Sequence, residues 1–191
     1  DVEIGAKRMQ ITADNQNGSK RAFVFPGQGS QRVGMASGFV SEYSESAAVF
    51  EEASDVLDFD VFSVCNTDDE RLHLTEFTQP CILTAEIAML RALRTHFSLD
   101  STLYAGHSLG EYTALVAAGA MPFAVALGLV RRRGQLMQNA VAPGVGAMVA
   151  ISAPEPLDLS DLRDRAAAGD VDVANENSLT QVVLSGEAAA V

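Results

Sequence analysis

Residues 1–20 are polar and aperiodic, ending in "ADNQNGSK". At Arg21 they give way to the apolar run "RAFVF", which "PGQGSQ" stops. This pattern predicts a tail or linker, then a short buried strand with a tight loop after it. From Ser44 to Leu57, Ala47, Phe50 and Leu57 recur at helical spacing. "TQPCILTAEIAMLRALRTHF" predicts a further helix, with Thr78 as its cap and Pro80 near its first turn. Apolar residues lie on nearly all its sides, so it is expected to be central.

"STLYAG" predicts the next strand, followed at once by a helix from about Leu109 to Gly119 and another from Pro122 to about Ala140. After "APGVG" come a strand "AMVAI", a helix "EPLDLSDLRDRAAAG" and two strands, "VDVAN" and "QVVLS". Strands alternating with helices indicate an α/β core with a largely parallel sheet. The 191 residues suit one domain with a small appended subdomain.

The formal net charge of −12 disfavours nucleic acid, whose phosphates such a surface repels. Cys65 and Cys81 lack CxxC or metal-ligand spacing, which predicts reduced, inert thiols in a cytoplasmic protein. The start, "DVEIGAKRMQ", has no apolar core of a secretion signal. The uncharged run Thr113–Val130 approaches a membrane span in length, but "GAMP" interrupts it, so two buried helices joined by a turn are expected.

The candidate chemistry centres on "AGHSLGEY". Gly106-His107-Ser108-Leu109-Gly110 is a Gly-x-Ser-x-Gly pattern between a predicted strand and a predicted helix, the setting of a nucleophile elbow. At roughly 7% usage each for Gly and Ser, chance supplies about 0.06 such matches in a chain this long, so a merely structural turn serine is the weaker reading. The helix that follows points unpaired N–H groups at the turn, and Leu109 N–H is the natural first donor to an oxyanion. His107 is expected to be a packed, hydrogen-bonded side chain, His73 to lie at the surface and His96 at a helix end. None of the three reads as a base for Ser108.

In "FPGQGSQ", Gly27, Gly29 and Gly34 miss the spacing of a dinucleotide loop, and no GK[ST] follows. The segment remains a tight loop able to bring a backbone N–H close to the serine. The run Arg131-Arg132-Arg133 reads by default as a solvated helix face. Successive helical residues differ by about 100°, however, so the three point different ways. Arg133, beside Gly134, can enter a crowded pocket and clamp a carboxylate.

"FVFPGQGSQRVGM", "TQPCILTAEIAML", "AGHSLGEYTALVAAGAM", "RGQLMQ", "GVGAMVAI" and "NSLTQVVLSG" occur in the order and approximate spacing of malonyl-CoA:acyl-carrier-protein transacylases, to which polyketide synthase acyltransferase domains are similar. The chain resembles this family from Ala22 to Gly186. The resemblance implies an α/β-hydrolase-like core with a parallel sheet over 21–143 and an inserted ferredoxin-like subdomain over 144–191, incomplete at its C-terminal side. It implies Ser108 as the acylated nucleophile, Gln28 and Leu109 as backbone donors of the oxyanion hole, and Arg133 as holder of a malonyl-type carboxylate. Gln79 and Asn177 match pocket-lining positions.

The implied reaction carries an acyl group from acyl-CoA through Ser108 to the phosphopantetheine thiol of an acyl carrier protein, in fatty-acid or polyketide biosynthesis. It implies no metal, no cofactor beyond those substrates, no nucleic acid, no membrane and a cytoplasmic setting. The family's catalytic histidine lies beyond the stretch matching "QVVLSGE", so the base is expected from further polypeptide or a partner chain. Two other readings stay open. One is an acyl hydrolase acting on carrier proteins, and the other is a catalytically incomplete module that binds CoA or carrier protein.

Overall fold

Two of the predicted strands, Ala22–Phe25 and Leu103–Gly106, lie side by side and parallel in a computed structural model that describes residues 2–4, 7–9, 21–97, 103–142 and 144–191. The chain divides into two units, 1–138 and 139–191. Of the tail read over 1–20, the described part is an antiparallel pair, β1 (Val2–Ile4) and β2 (Lys7–Met9), and the rest lies outside the described residues.

β3 (Ala22–Phe25) is followed by α1 (Ser37–Glu42), α2 (Ser44–Leu57), α3 (Val61–Asn66) and a 3₁₀ turn (Glu70–His73). Then come α4 (Thr75–His96), β4 (Leu103–Gly106), α5 (Gly110–Ala117) and α6 (Phe123–Gln138). Ser101 and Thr102, read as the start of the β4 strand, lie outside the described residues. The core of this unit packs α2, α3, α5 and α6 around α4, through Val49, Phe50, Val64, Leu83, Leu127 and Val130. α4 is buried on all sides from Thr78 to Ala88, as its all-round apolar pattern predicts.

Two sequence expectations shift in this unit. The helix carrying "TQP" starts at Thr75, so Thr78 is not its cap. Its hydroxyl donates instead to Leu72 O (2.7 Å) and Leu74 O (3.0 Å). The α4 N-terminus is capped from another helix, Thr75 N–H donating to Gln138 Oε1 at 2.9 Å. β3 and β4 are also only half buried. Alternate side chains of a strand face opposite ways. Phe23 and Phe25 join the helical core, while Val24 is 71% and Leu103 57% exposed on the other face.

α4 also carries Glu86, 93% buried, whose Oε2 accepts from Thr113 Oγ1 on α5 while Oε1 has no partner among the described residues. Burial pushes this carboxyl up to about 7, against the smaller opposing effect of the Thr113 hydrogen bond.

In the second unit, β5 (Gly146–Ser152), α7 (Leu159–Ala168), β6 (Val171–Ser178) and β7 (Gln181–Glu187) form an antiparallel sheet in the order β5-β7-β6. β7 inserts between the two strands that the helix connects. This is the split β-α-β arrangement of ferredoxin-like folds, with three strands and one helix of their four strands and two helices. Asp158 caps α7 by accepting from Ser160 N and Asp161 N.

Candidate functional site

The turn between β4 and α5 has the geometry of a nucleophile elbow. β4 runs beside β3 with Gly106 opposite Phe25, and His107 N–H donates to Phe25 O at 3.1 Å. The chain then reverses through Ser108, which is held at φ +54°. That left-handed conformation costs a non-glycine residue about 1–2 kcal/mol. The backbone closes with Gly110 N–H donating to His107 O at 2.9 Å.

Two glycines make the reversal possible. A Cβ on Gly106 would sit 1.9 Å from Gly110 C, and one on Gly110 would sit 2.1 Å from Phe25 O. Any side chain at either position would force the strand, turn and helix apart. The loop after β3 closes on the same turn, because a Cβ on Gly27 would lie 2.6 Å from His107 O. Gln28 follows directly. Leu109, fully buried, precedes the first residue of α5. Neither the Gln28 nor the Leu109 N–H enters a backbone hydrogen bond among the described residues, so both remain available to an oxygen at the turn.

Ser108 is exposed, and its side-chain partner among the described residues is Arg133 on α6, whose Nη2 donates to Ser108 Oγ at 2.9 Å. Arg133 Nη1 donates to Gln79 Oε1 at 2.8 Å. Gln79 is fully buried on α4, and its amide nitrogen lies 3.2 Å from Met137 Sδ, one turn beyond Arg133. Gly134 lets α6 approach this closely, since a Cβ there would sit 2.6 Å from Thr75 O and 2.7 Å from Glu76 Cα. The structure therefore brings Ser108, Arg133 and Gln79 together, with Gln28 and Leu109 on the turn. Asn177 lies on β6 of the second unit, where its Nδ2 donates to Gln181 Oε1 at 3.0 Å.

Arg131 departs from the solvated face expected of the arginine run. Its guanidinium lies over the rings of Phe77 (4.4 Å) and Phe59 (5.0 Å) and 3.3 Å from Glu76 Oε2. Phe59 and Phe77 are far from it in sequence, so no local pattern announces the stacking. His107 is exposed rather than packed, with its ring beside Gly27. His96 lies 3.4 Å from Glu45 with its ring tilted against Tyr43, and His73 ends the 3₁₀ turn at the surface. Thr75, Met137 and Gln138 support the site but were not singled out in the sequence. The (i, i+4) spacing of Thr75 to Gln79 and of Arg133 to Met137 marks the first two, whereas nothing local marks Gln138, whose partner Thr75 is 63 residues away.

Among the described residues, no group of three or more His, Cys, Asp or Glu side chains is placed to hold a metal, and no helix is long and apolar enough to cross a membrane.

A family model described as "Acyl transferase domain" matches residues 22–191. The malonyl CoA-acyl carrier protein transacylase of Escherichia coli (strain K12) is 43% identical over 172 residues, which is 89% of this chain and 56% of that protein. The protein of the same name from Haemophilus influenzae is 44% identical over 175 residues, 90% of this chain and 56% of its own length. The solved structure of the malonyl CoA-acyl carrier protein transacylase from Coxiella burnetii matches with a TM-score of 0.82 and 41% identity, over 88% of this chain and 54% of that one. A malonyl-transacylase solved in complex with its type II PKS acyl-carrier protein matches with a TM-score of 0.83 and 41% identity, over 90% of this chain and 56% of that one. The chain thus spans about half the length of the relatives it matches.

Proposed function

The chain belongs to the acyl transferase domain family, and on that premise we propose that it supplies the nucleophile, oxyanion hole and carboxylate clamp of a transacylase that moves a malonyl-type group from CoA to an acyl carrier protein. The observation that carries this reading is the double contact of Arg133, on the elbow serine and on buried Gln79. A cation held beside Ser108 in this way supports a clamp for the far end of a short acyl group, because a bidentate guanidinium matches a carboxylate.

In the proposed reaction, Ser108 Oγ attacks the thioester carbonyl carbon and gives up its proton to a base. The carbonyl oxygen becomes an oxyanion held by the Gln28 and Leu109 N–H groups. The C–S bond breaks, and CoA leaves as the thiol after taking the proton. The carrier's phosphopantetheine thiol then attacks the serine ester, and the Ser108 hydroxyl is restored. Gln79 lines the acyl pocket and holds Arg133. The base comes from polypeptide beyond these 191 residues, or from a partner chain. The half-length match to the relatives and the exposed face of β3 and β4 support that assignment. Soluble CoA and carrier substrates fit action in the cytoplasm.

A second reading, binding of CoA or carrier protein without efficient turnover by these residues alone, has one observation in its favour. The side chain on Ser108 Oγ is a donor, not a base. The hydrolase reading has less support, because a carboxylate clamp has no use on monocarboxylic acyl chains.

The test is brief incubation of a polypeptide of the relatives' length with malonyl-CoA, followed by peptide mass spectrometry. A malonyl adduct is expected on the Ser108 peptide and absent in Ser108→Ala. An unchanged adduct in the variant overturns the assignment.

A further inference from the structure

The N-terminal end of α4 holds both halves of the site. Thr75 Oγ1 accepts from Gln28 Nε2 at 3.2 Å, and four residues on, Gln79 Oε1 accepts from Arg133 Nη1 at 2.8 Å. Residues four apart on a helix lie one above the other on the same face, about 6 Å apart along the axis. The α4 face thus sets the spacing between the loop that carries the Gln28 amide and the guanidinium over Ser108.

Thr75 is itself fixed from α6. Its N–H donates to Gln138 Oε1 at 2.9 Å, and its carbonyl lies where Gly134 allows α6 to touch α4. One half-buried residue therefore joins α4, α6 and the loop after β3.

We propose that Thr75 is a positioning residue for acyl transfer, acting through the Gln28 side chain to hold the oxyanion-hole amide in place. This rests on the reading of Ser108 as the acylated nucleophile. The loop needs such a hold. Gln28 is exposed, and Gly29 beside it has φ +104° with open space where a Cβ would stand. The loop's own bonds, from Ser30 to Gly27 O and from Gly29 N–H to Gln31 Oε1, flank Gln28 without holding it. A donor aimed at an oxyanion is effective only when it is already oriented, and loss of one such donor lowers turnover by about 10²–10³-fold. Loosening a donor rather than deleting it should cost a smaller factor.

Thr75→Val removes the Oγ1 acceptor and keeps the side-chain shape, the backbone N–H to Gln138 and the helix start. In a polypeptide of the relatives' length, the rate of Ser108 acylation by malonyl-CoA is expected to fall about 10-fold with KM changed less than about 2-fold, because the oxyanion forms only in the transition state. Thr75→Ser, which keeps an acceptor, should restore most of the rate. Gln28→Ala keeps the amide but loses the anchor, so it should match Thr75→Val. The double variant should be no slower than either single one, since both remove the same contact.

A readout independent of turnover is hydrogen exchange at the Gly29 amide, which donates to Gln31 Oε1 at 2.8 Å and should exchange about 10-fold faster in Thr75→Val at an unchanged unfolding midpoint. Unchanged exchange, a wild-type acylation rate in Thr75→Val, or multiplying losses in the double variant each overturn the proposal. An unmodified Ser108 in the wild-type protein would instead overturn the proposed function. The exchange measurement would still decide whether Thr75 anchors the loop.

Discussion

Arg133 donates to Ser108 Oγ at 2.9 Å through one nitrogen and to Gln79 Oε1 at 2.8 Å through another. The guanidinium is therefore held in one orientation by the chain itself. A carboxylate on a Ser108 ester would replace one neutral acceptor by a charged one, turning an ion–dipole contact into an ion pair that the guanidinium fork can hold bidentately.

Arg133→Ala should therefore separate acyl groups by charge. Leaving a paired charge without its partner costs on the order of 3–5 kcal/mol, so malonyl transfer should fall by at least about two orders of magnitude. Acetyl transfer should fall much less. Arg133→Lys should not restore malonyl transfer, because an ammonium cannot span Gln79 and a carboxylate as a planar fork does. Steady-state rates on malonyl-CoA and acetyl-CoA check this, and equal losses on both would make Arg133 structural. Arg131→Ala should act differently, lowering the unfolding midpoint through loss of the Phe59 and Phe77 contacts while leaving the preference between the two substrates unchanged.

Glycines of this chain should respond to alanine in opposite directions. Gly110→Ala places a methyl 2.1 Å from Phe25 O, so the strand or the turn must move. Overpacking of this kind costs about 3 kcal/mol. Gly128, within α6, has open space where its Cβ would go, and alanine there should stabilise by about 0.5–1 kcal/mol through helix propensity. Urea unfolding of both variants tests the pair. A neutral Gly110→Ala would mean that the elbow is not built as described.

Much of this was readable in the sequence. The elbow was legible because its constraint is local: two glycines two residues either side of a serine, between an apolar run and a helix. α7 and the strands after it were legible from period alone. What escaped was long-range. The start of α4 is set by Gln138, which is 63 residues away, so the cap signal at Thr78 was misleading. The stacking of Arg131 depends on rings from two other segments. The apolar strand "RAFVF" reads as buried whether or not both of its faces are covered, and in this chain Val24 lies on the open face.

Glu86 should make stability depend on pH. Its carboxyl is raised to about 7 from the ordinary 4.5, so between those values the folded chain holds a proton that the unfolded chain has released. Its stabilising contribution is complete below about 4.5 and is lost as pH rises through about 7. At about 1.4 kcal/mol per pH unit, that separation amounts to roughly 3 kcal/mol at most. Glu86→Gln keeps an acceptor for Thr113 and cannot ionise, so it should be the more stable protein at pH 8 and should flatten the profile between pH 4.5 and 7. Denaturant midpoints across that range check this, and an unaltered slope in the variant would assign the pH dependence to other groups.

The base for Ser108 should prove to lie outside these residues. A serine hydroxyl is a weak nucleophile at neutral pH without an adjacent base. Arg133 donates to its oxygen and so cannot take its proton. Of the histidines, His96 is engaged with Glu45 and Tyr43, His73 ends a surface turn, and His107 sits beside Gly27, directly before Ser108. An oxyanion hole and binding alone can leave a residual ~10³–10⁴-fold rate over water, so residues 1–191 should show slow acylation rather than none. A polypeptide extended to the relatives' length should be faster by about 10²-fold or more, the usual contribution of a positioned base. The triple variant His73→Gln/His96→Gln/His107→Gln should leave the slow rate of residues 1–191 unchanged. Comparable rates from the short and extended polypeptides, or loss of the slow rate in the triple variant, would place the base within this chain. His107 would then be the first residue to test singly.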